Sequence, residues 1–215
     1  MNCCQCEAIE REFNRKAVAK ELKEYRKKGL EWVDKTTRIL IDALQAQGIK
    51  GMTLLDIGGG IGVIQHELLK AGVSRATHID ASSAYVEAAK EEAERLGLAD
   101  RISHRHGNFV DLAPSIETAD IVTLDKVVCC YHDMQNLIRL SSTKAHKLYG
   151  LVYPRDNWWI KIAQSIFNFT NWLRRSPFRG FVHPTKAVDG LVRENGMERR
   201  FHTKTALWQM VVYSR

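Results

Sequence analysis

Apolar positions change their period once along the chain. In residues 7–48 they fall near helical spacing within a strongly charged background: Ile9, Phe13, Val18, Leu22 and Tyr25 share one face. Gly29 interrupts this run. A second helix from about residue 31 carries Trp32, Val33, Ile39, Leu40 and Leu44 and stops near Gly48. From residue 52 onward short apolar runs alternate with amphipathic stretches. Strands are predicted at 52–58, 76–80, 102–107, 119–125 and 146–154, and helices at 61–70, 83–96, 134–144 and 158–174. The tail RRFHTKTALWQMVVYS reads as two strands separated by a few residues. Strands that alternate with helices give an α/β fold with a largely parallel sheet and right-handed crossovers. The closing pair predicts an antiparallel hairpin at the sheet's edge.

Composition narrows the class. The 215 residues are 45% hydrophobic and 27% charged, with 4 prolines, which excludes collagen-like and low-complexity chains. No run approaches the roughly 18 apolar residues of a membrane span. The first residues lack the basic and apolar regions of a secretory signal, so a cytoplasmic location is expected. Charge is unevenly spread. Residues 1–138 hold 18 basic and 21 acidic side chains, whereas residues 139–215 hold 14 and 4. The basic half suits an anionic partner: a carboxylated or phosphorylated substrate, nucleic acid or a membrane surface. The bland alternative is a solvated basic face. Five cysteines, an odd number, argue against a disulfide framework. Cys3, Cys4 and Cys6 could bind a soft metal or arsenite. They lack the paired spacing of a structural zinc site, so a disordered or simply packed terminus is expected and no metal.

The first predicted strand runs into Asp56-Ile57-Gly58-Gly59-Gly60-Ile61-Gly62 and then a helix. Ligands of such sheets bind beyond the carboxyl ends of the strands, where glycines allow close backbone approach. A dinucleotide fingerprint would need a small residue where Val63 stands. Asp80 ends the second strand, 24 residues after Asp56, and a carboxylate there can accept hydrogen bonds from both hydroxyls of a ribose. Helix capping is its alternative role.

The D-x-G-x-G-x-G pattern resembles the first motif of class I S-adenosylmethionine (SAM) dependent methyltransferases. The resemblance implies a three-layer sandwich: a seven-stranded, mostly parallel sheet with an antiparallel last strand, covered by an N-terminal helical lid over residues 1–50. Residues 51–215 would be the SAM-binding core. In that family the glycine loop passes beneath the methionine part of SAM, which assigns Asp56, Gly58, Gly59, Gly60 and Gly62 to the cofactor. Asp80 and Ala81 would meet the ribose. Asn108 and Phe109 would meet the adenine, and Asp125 with Lys126 corresponds to the fourth motif.

The acceptor side is sought after the fourth strand, in VVCCYHD at 127–133. His132 is the candidate base, because its ordinary pKa suits proton transfer at neutral pH, and Tyr131 is a candidate pocket wall. An exposed histidine and a packed tyrosine are the plain alternatives. Cys129 and Cys130 read as small buried residues. No Asn/Asp-Pro-Pro-aromatic motif is present, so DNA and protein-amide methylation are not expected. A second cluster holds Tyr153, Arg155, Trp158 and Trp159. An apolar helix, Arg174, Arg175 and Arg179, and then His183 follow it. The mixture could cover a flat carboxylated substrate, rest on a membrane surface, or pack on the sheet. These segments are similar to the magnesium-protoporphyrin IX O-methyltransferase-like group. The resulting expectation is methylation of a small molecule at a carboxylate or hydroxyl oxygen, with residues 153–185 as a substrate-pocket insertion and no stable nucleic-acid partner. Thiol or arsenite methylation, RNA methylation and a non-catalytic SAM- or nucleic-acid-binding module are the alternatives.

Overall fold

The computed structural model describes residues 4–215. Three helices come first: α1 (Cys4–Glu12), α2 (Arg15–Lys28) and α3 (Lys35–Gln45). There follow β1 (Thr53–Ile57), α4 (Val63–Lys70), β2 (Arg75–Asp80), α5 (Ser83–Arg95) and β3 (Ile102–His106). After the short α6 (Phe109–Leu112) come β4 (Ala119–Asp125), α7 (Met134–Thr143), β5 (Ala145–Pro154) and α8 (Trp158–Leu173). The chain closes with α9 (Thr185–Glu194), β6 (Glu198–Lys204) and β7 (Trp208–Ser214).

One seven-stranded sheet has the order β3-β2-β1-β4-β5-β7-β6. The first five strands pair in parallel. β7 runs antiparallel to both β5 and β6, so the terminal hairpin places its second strand inside the sheet and its first strand at the edge. The alternation of side chains along each strand builds the two faces. Leu55, Val122, Leu151 and Val211 enter a core with α7 and α9. Leu54, Ile121, Val152 and Val212 enter a core with α3 and α4. This is the three-layer α/β sandwich expected.

Two local features depart from the expectation. The first predicted helix breaks at Asn14, whose side chain accepts the N–H groups of Lys16 and Ala17 and starts α2 anew. α9 had no predicted counterpart, although Val188, Leu191 and Val192 bury one stripe of it; Gly190 dilutes the pattern. Cys3 lies outside the described residues, as does the side chain of Cys4. Among the described residues no group of His, Cys, Asp and Glu could hold a metal ion.

The N-terminal helices lie over the carboxyl ends of β1, β2 and β4. Arg26 of α2 donates to Glu92 at 2.7 Å and to Glu91 at 2.9 Å, both on α5. Val18, Leu22 and Tyr25 bury against Ala84 and Ala88. This contact holds α2 above the loop that follows β1.

Candidate active site

The loop after β1 is organised by a buried acid. Asp56 accepts from Thr123 Oγ1 at 2.6 Å and from Gln65 Nε2 at 3.1 Å. Both of its oxygens are therefore spent inside the protein, and burial pushes its pKa up to about 6. It shapes the loop from behind and does not line the cavity above. The same geometry explains Gly59. A Cβ there would lie 2.5 Å from Asp56 Oδ2 and 2.6 Å from Gln65 Nε2. Gly60 differs: at φ +56° it faces open space, with the Tyr85 ring 3.8 Å from a Cβ placed there.

Asp80, at the end of β2, accepts the Gly60 N–H at 3.0 Å through Oδ2 and the Ser82 N–H at 2.8 Å through Oδ1. Burial outweighs these donors and pushes its pKa up to about 6. The carboxylate thus ties the glycine loop to the second strand at the edge of a cavity of about 710 Å³. Ala81, Asn108 and Phe109 line the same cavity. Asn108 caps α6 by accepting the Val110 N–H, which leaves its Nδ2 without a hydrogen bond among the described residues. Phe109 is buried beside it.

Beyond β4, Asp125 Oδ2 accepts from Thr37 Oγ1 at 2.5 Å. Its Oδ1 is buried with no hydrogen-bond partner among the described residues. Burial raises its pKa. Lys126 adopts φ +60° and donates to Asp34 at 2.9 Å, with its ammonium 5.7 Å from the centre of the Trp208 ring. Asp34 and Thr37 belong to the start of α3, so the segment after β4 is clasped to the helical cover. On the opposite wall Tyr85 Oη donates to Glu21 of α2 at 2.7 Å, and burial raises the pKa of Glu21. Glu21, Asp34, Asp80 and Asp125 line the cavity with Lys126, which favours a cationic ligand.

The acceptor-side expectations fare differently. Tyr131 lines the cavity with Cys129 and Cys130. His132 is exposed and lies outside the lining; its ring stacks on Tyr131 with centroids 5.7 Å apart. The segment 153–183 does not form the expected wall. Tyr153 is 1% exposed and packs in the core beneath the sheet. The Arg155 guanidinium is held by the carbonyls of Thr205 and Ala206. Trp158 and Trp159 project from α8 into solvent. The His183 ring hydrogen-bonds the Tyr131 carbonyl at 2.9 Å and lies behind the lining. Asp56 and Gly62 likewise stand behind the surface they shape. The wall that replaces 153–183 comes from the N-terminal helices: Ile9, Phe13, Glu21, Trp32, Asp34 and Thr37. Their helical spacing gave the helices, but no local motif reports which strand ends the helices cover.

Residues 54–143, from β1 to the end of α7, match a family described as "Methyltransferase domain". Across all but a few residues the fold overlays magnesium protoporphyrin IX methyltransferase from Synechocystis PCC 6803 with bound SAH. The TM-score is 0.74 at 17% identity, covering 98% of this chain and 99% of that one. The chain has the class I methyltransferase fold. Geranyl diphosphate C-methyltransferase from Streptomyces coelicolor A3(2) shares this fold at a TM-score of 0.66, with 14% identity over 83% of this chain and 76% of that one. Among curated sequences, ribosomal protein L11 methyltransferase from Tolumonas auensis is 34% identical over 67 residues, 31% of this chain and 23% of the relative. The chain thus spans about a quarter of the length of that relative.

Proposed function

We propose that this protein is a SAM-dependent methyltransferase acting on a small molecule. The observation that carries the reading is Asp80. A buried carboxylate that already binds the Gly60 amide stands at the cavity edge, where it can accept from ribose hydroxyls. The other residues fit the cofactor. Asn108 Nδ2 and the Phe109 ring suit an adenine. The orphaned Asp125 Oδ1 and the acidic lining suit a cationic amino acid moiety and sulfonium. When bound, SAM supplies an electrophilic methyl group on sulfur.

What the chain contributes is position and exclusion of water. The helices over Glu21, Trp32 and Thr37 cover the cavity, and the loop clasped by Asp56 fixes one side of it. The acceptor belongs in the same cavity, whose lining includes the rings of Phe13, Trp32 and Tyr131, aromatic surface suited to a flat apolar body. A thiol route through Cys129 is disfavoured. The Cys129 thiol is held well above its ordinary pKa, first by its hydrogen bond with Cys130 and then by burial, so it is a poor nucleophile.

Isothermal calorimetry with S-adenosylhomocysteine, NAD and NADP tests the cofactor. Only the first is expected to bind, and Asp80→Ala should weaken it by at least about tenfold, the worth of a hydrogen bond to a charged group. Binding of NAD in place of S-adenosylhomocysteine would refute the reading.

A further inference from the structure

α8 is built inside out. Its protein-facing stripe is Ile160, Gln164, Asn168 and Asn171, spaced by four, four and three residues. Three of these four are amides, and two of them bond the returning backbone: Asn168 Nδ2 donates to the Gly180 carbonyl at 2.9 Å, Asn168 Oδ1 accepts the Gly180 N–H at 2.9 Å, and Asn171 Nδ2 donates to the Phe178 carbonyl at 3.2 Å, while Gln164 Nε2 donates to Asn168 Oδ1 at 3.4 Å. The outward stripe is Trp158, Ile162, Ile166, Phe169, Trp172 and Leu173, covering an arc of about 120°. Their exposures run from 51% at Ile162 to 74% at Trp158. A helix that turns amides inward and tryptophans outward has a second apolar medium to meet.

Charge identifies that medium. Arg174 and Arg175 follow Leu173 directly, are exposed, and have no ion-pair partner among the described residues. Lys161, on the flank, is paired with Asp156. The half of the chain that contains α8 carries ten more basic than acidic side chains. Tryptophan, phenylalanine and leucine on one face, with unpaired arginines at its end, match a helix that lies in the interface of an anionic bilayer. No helix among the described residues is long and apolar enough to cross a membrane, so the contact is with one leaflet.

We propose that the outward face of α8 docks this protein on an anionic lipid bilayer, with the helix axis in the membrane plane. The helix that carries the docked face connects to the cavity through its opposite side. Phe167 of α8 meets Phe178 edge-on, Phe178 meets Phe13 with ring centroids 5.8 Å apart, and Phe13 lines the cavity. Gln5 of α1 donates to the Arg179 carbonyl and to the Cys130 carbonyl. The helical cover over the cavity is thus mounted on the segment that carries the membrane face. An acceptor dissolved in the bilayer would enter beside α1. The docking itself does not depend on the reaction proposed above.

The test is co-sedimentation of the full chain with phosphatidylcholine vesicles, plain or with roughly a third phosphatidylserine. Sedimentation with the anionic vesicles is expected, weakening in high salt. Trp158→Ser/Phe169→Ser/Trp172→Ser should lower partitioning at least tenfold and leave the melting temperature and S-adenosylhomocysteine affinity unchanged. Arg174→Glu/Arg175→Glu should lower it about tenfold on anionic vesicles only. The proposal is overturned by no sedimentation with either vesicle, by equal sedimentation of the triple variant, or by dimers in light scattering that the triple variant disperses. The last would make the face an interface between copies. Salt-resistant RNA binding that the triple variant abolishes would reassign it to nucleic acid.

Discussion

Asp80 offers both oxygens as charge-assisted acceptors only while ionised, and burial pushes its pKa up to about 6. S-adenosylhomocysteine affinity should therefore be flat above pH 7 and fall by up to about tenfold per unit below pH 6. Because Asp56 also titrates near 6, Asp80→Asn is the control. Its weaker binding should lose the acid limb, whereas an unchanged limb would assign the titration to Asp56. His132 stands outside the cavity lining, so His132→Ala should change turnover less than about threefold, against the 10²–10⁴ expected for loss of a general base. A larger loss in steady-state assays would bring the histidine back to the reaction. His66 carries a different prediction. It is fully buried, with neither ring nitrogen hydrogen-bonded among the described residues, and burial lowers its pKa to about 4. A depressed folded-state pKa means that its contribution to stability is complete above about 6.5 and is lost as pH falls toward 4, at about 1.4 kcal/mol per unit. His66→Leu should remove that loss. Urea unfolding should find the variant about 1 kcal/mol more stable at pH 7 and about 3 kcal/mol more stable at pH 5.

The glycine loop and the helical cover behave as elements. Adding a methyl at Gly59 drives it into Asp56, Gln65 and His78, whereas Gly60 has room and carries only the penalty of its positive φ. Gly59→Ala should cost more stability than Gly60→Ala, about 3 against about 1 kcal/mol by thermal unfolding. α2 depends on Arg26. Its partner Glu92 is wholly buried and also binds Arg95, and these guanidinium hydrogen bonds overcome burial to hold the carboxyl below the usual range. Arg26→Ala should cost about 1–2 kcal/mol and expose residues 4–34 to faster limited proteolysis, with the sheet untouched. Legibility varied along the same elements. The central strands β1, β4 and β5 were readable because each holds a compact apolar run, whereas β3 and β6, with one apolar residue each, were readable only from their place in the alternation. The sheet-side half of the cavity was readable because Asp56, the glycines and Asp80 sit at strand ends that the period itself locates. α8 was readable as a helix but not in its orientation. Its aromatics at helical spacing pointed to burial, and only the tertiary contacts of Asn168 and Asn171 decide which face turns inward.

At the scale of the molecule, the fold followed from alternation and from one motif, while the roof of the cavity did not. The helices that precede the sheet meet residues far along the chain: Arg15 to Glu87, Arg26 to Glu92, Lys126 to Asp34. Such pairings carry no local signature, which is why Glu21, Trp32 and Thr37 stood outside the sequence reading and Tyr153, Arg155 and Trp158 stood inside it. The strand order has a consequence in time. β1 lies beside β4, and the Asp56–Thr123 bond across this seam spans 67 residues. Closing so long a loop is entropically costly, so central pairing is expected late in refolding and overall folding in milliseconds to seconds. α2 can dock only after α5 has packed against the strands that flank that seam. A stopped-flow trace on a chain that keeps Trp32 as its one tryptophan should lag behind the recovery of far-ultraviolet circular dichroism. During that lag the newly folded protein has a floor for its ligand but no roof, and ligand should hasten only the final phase.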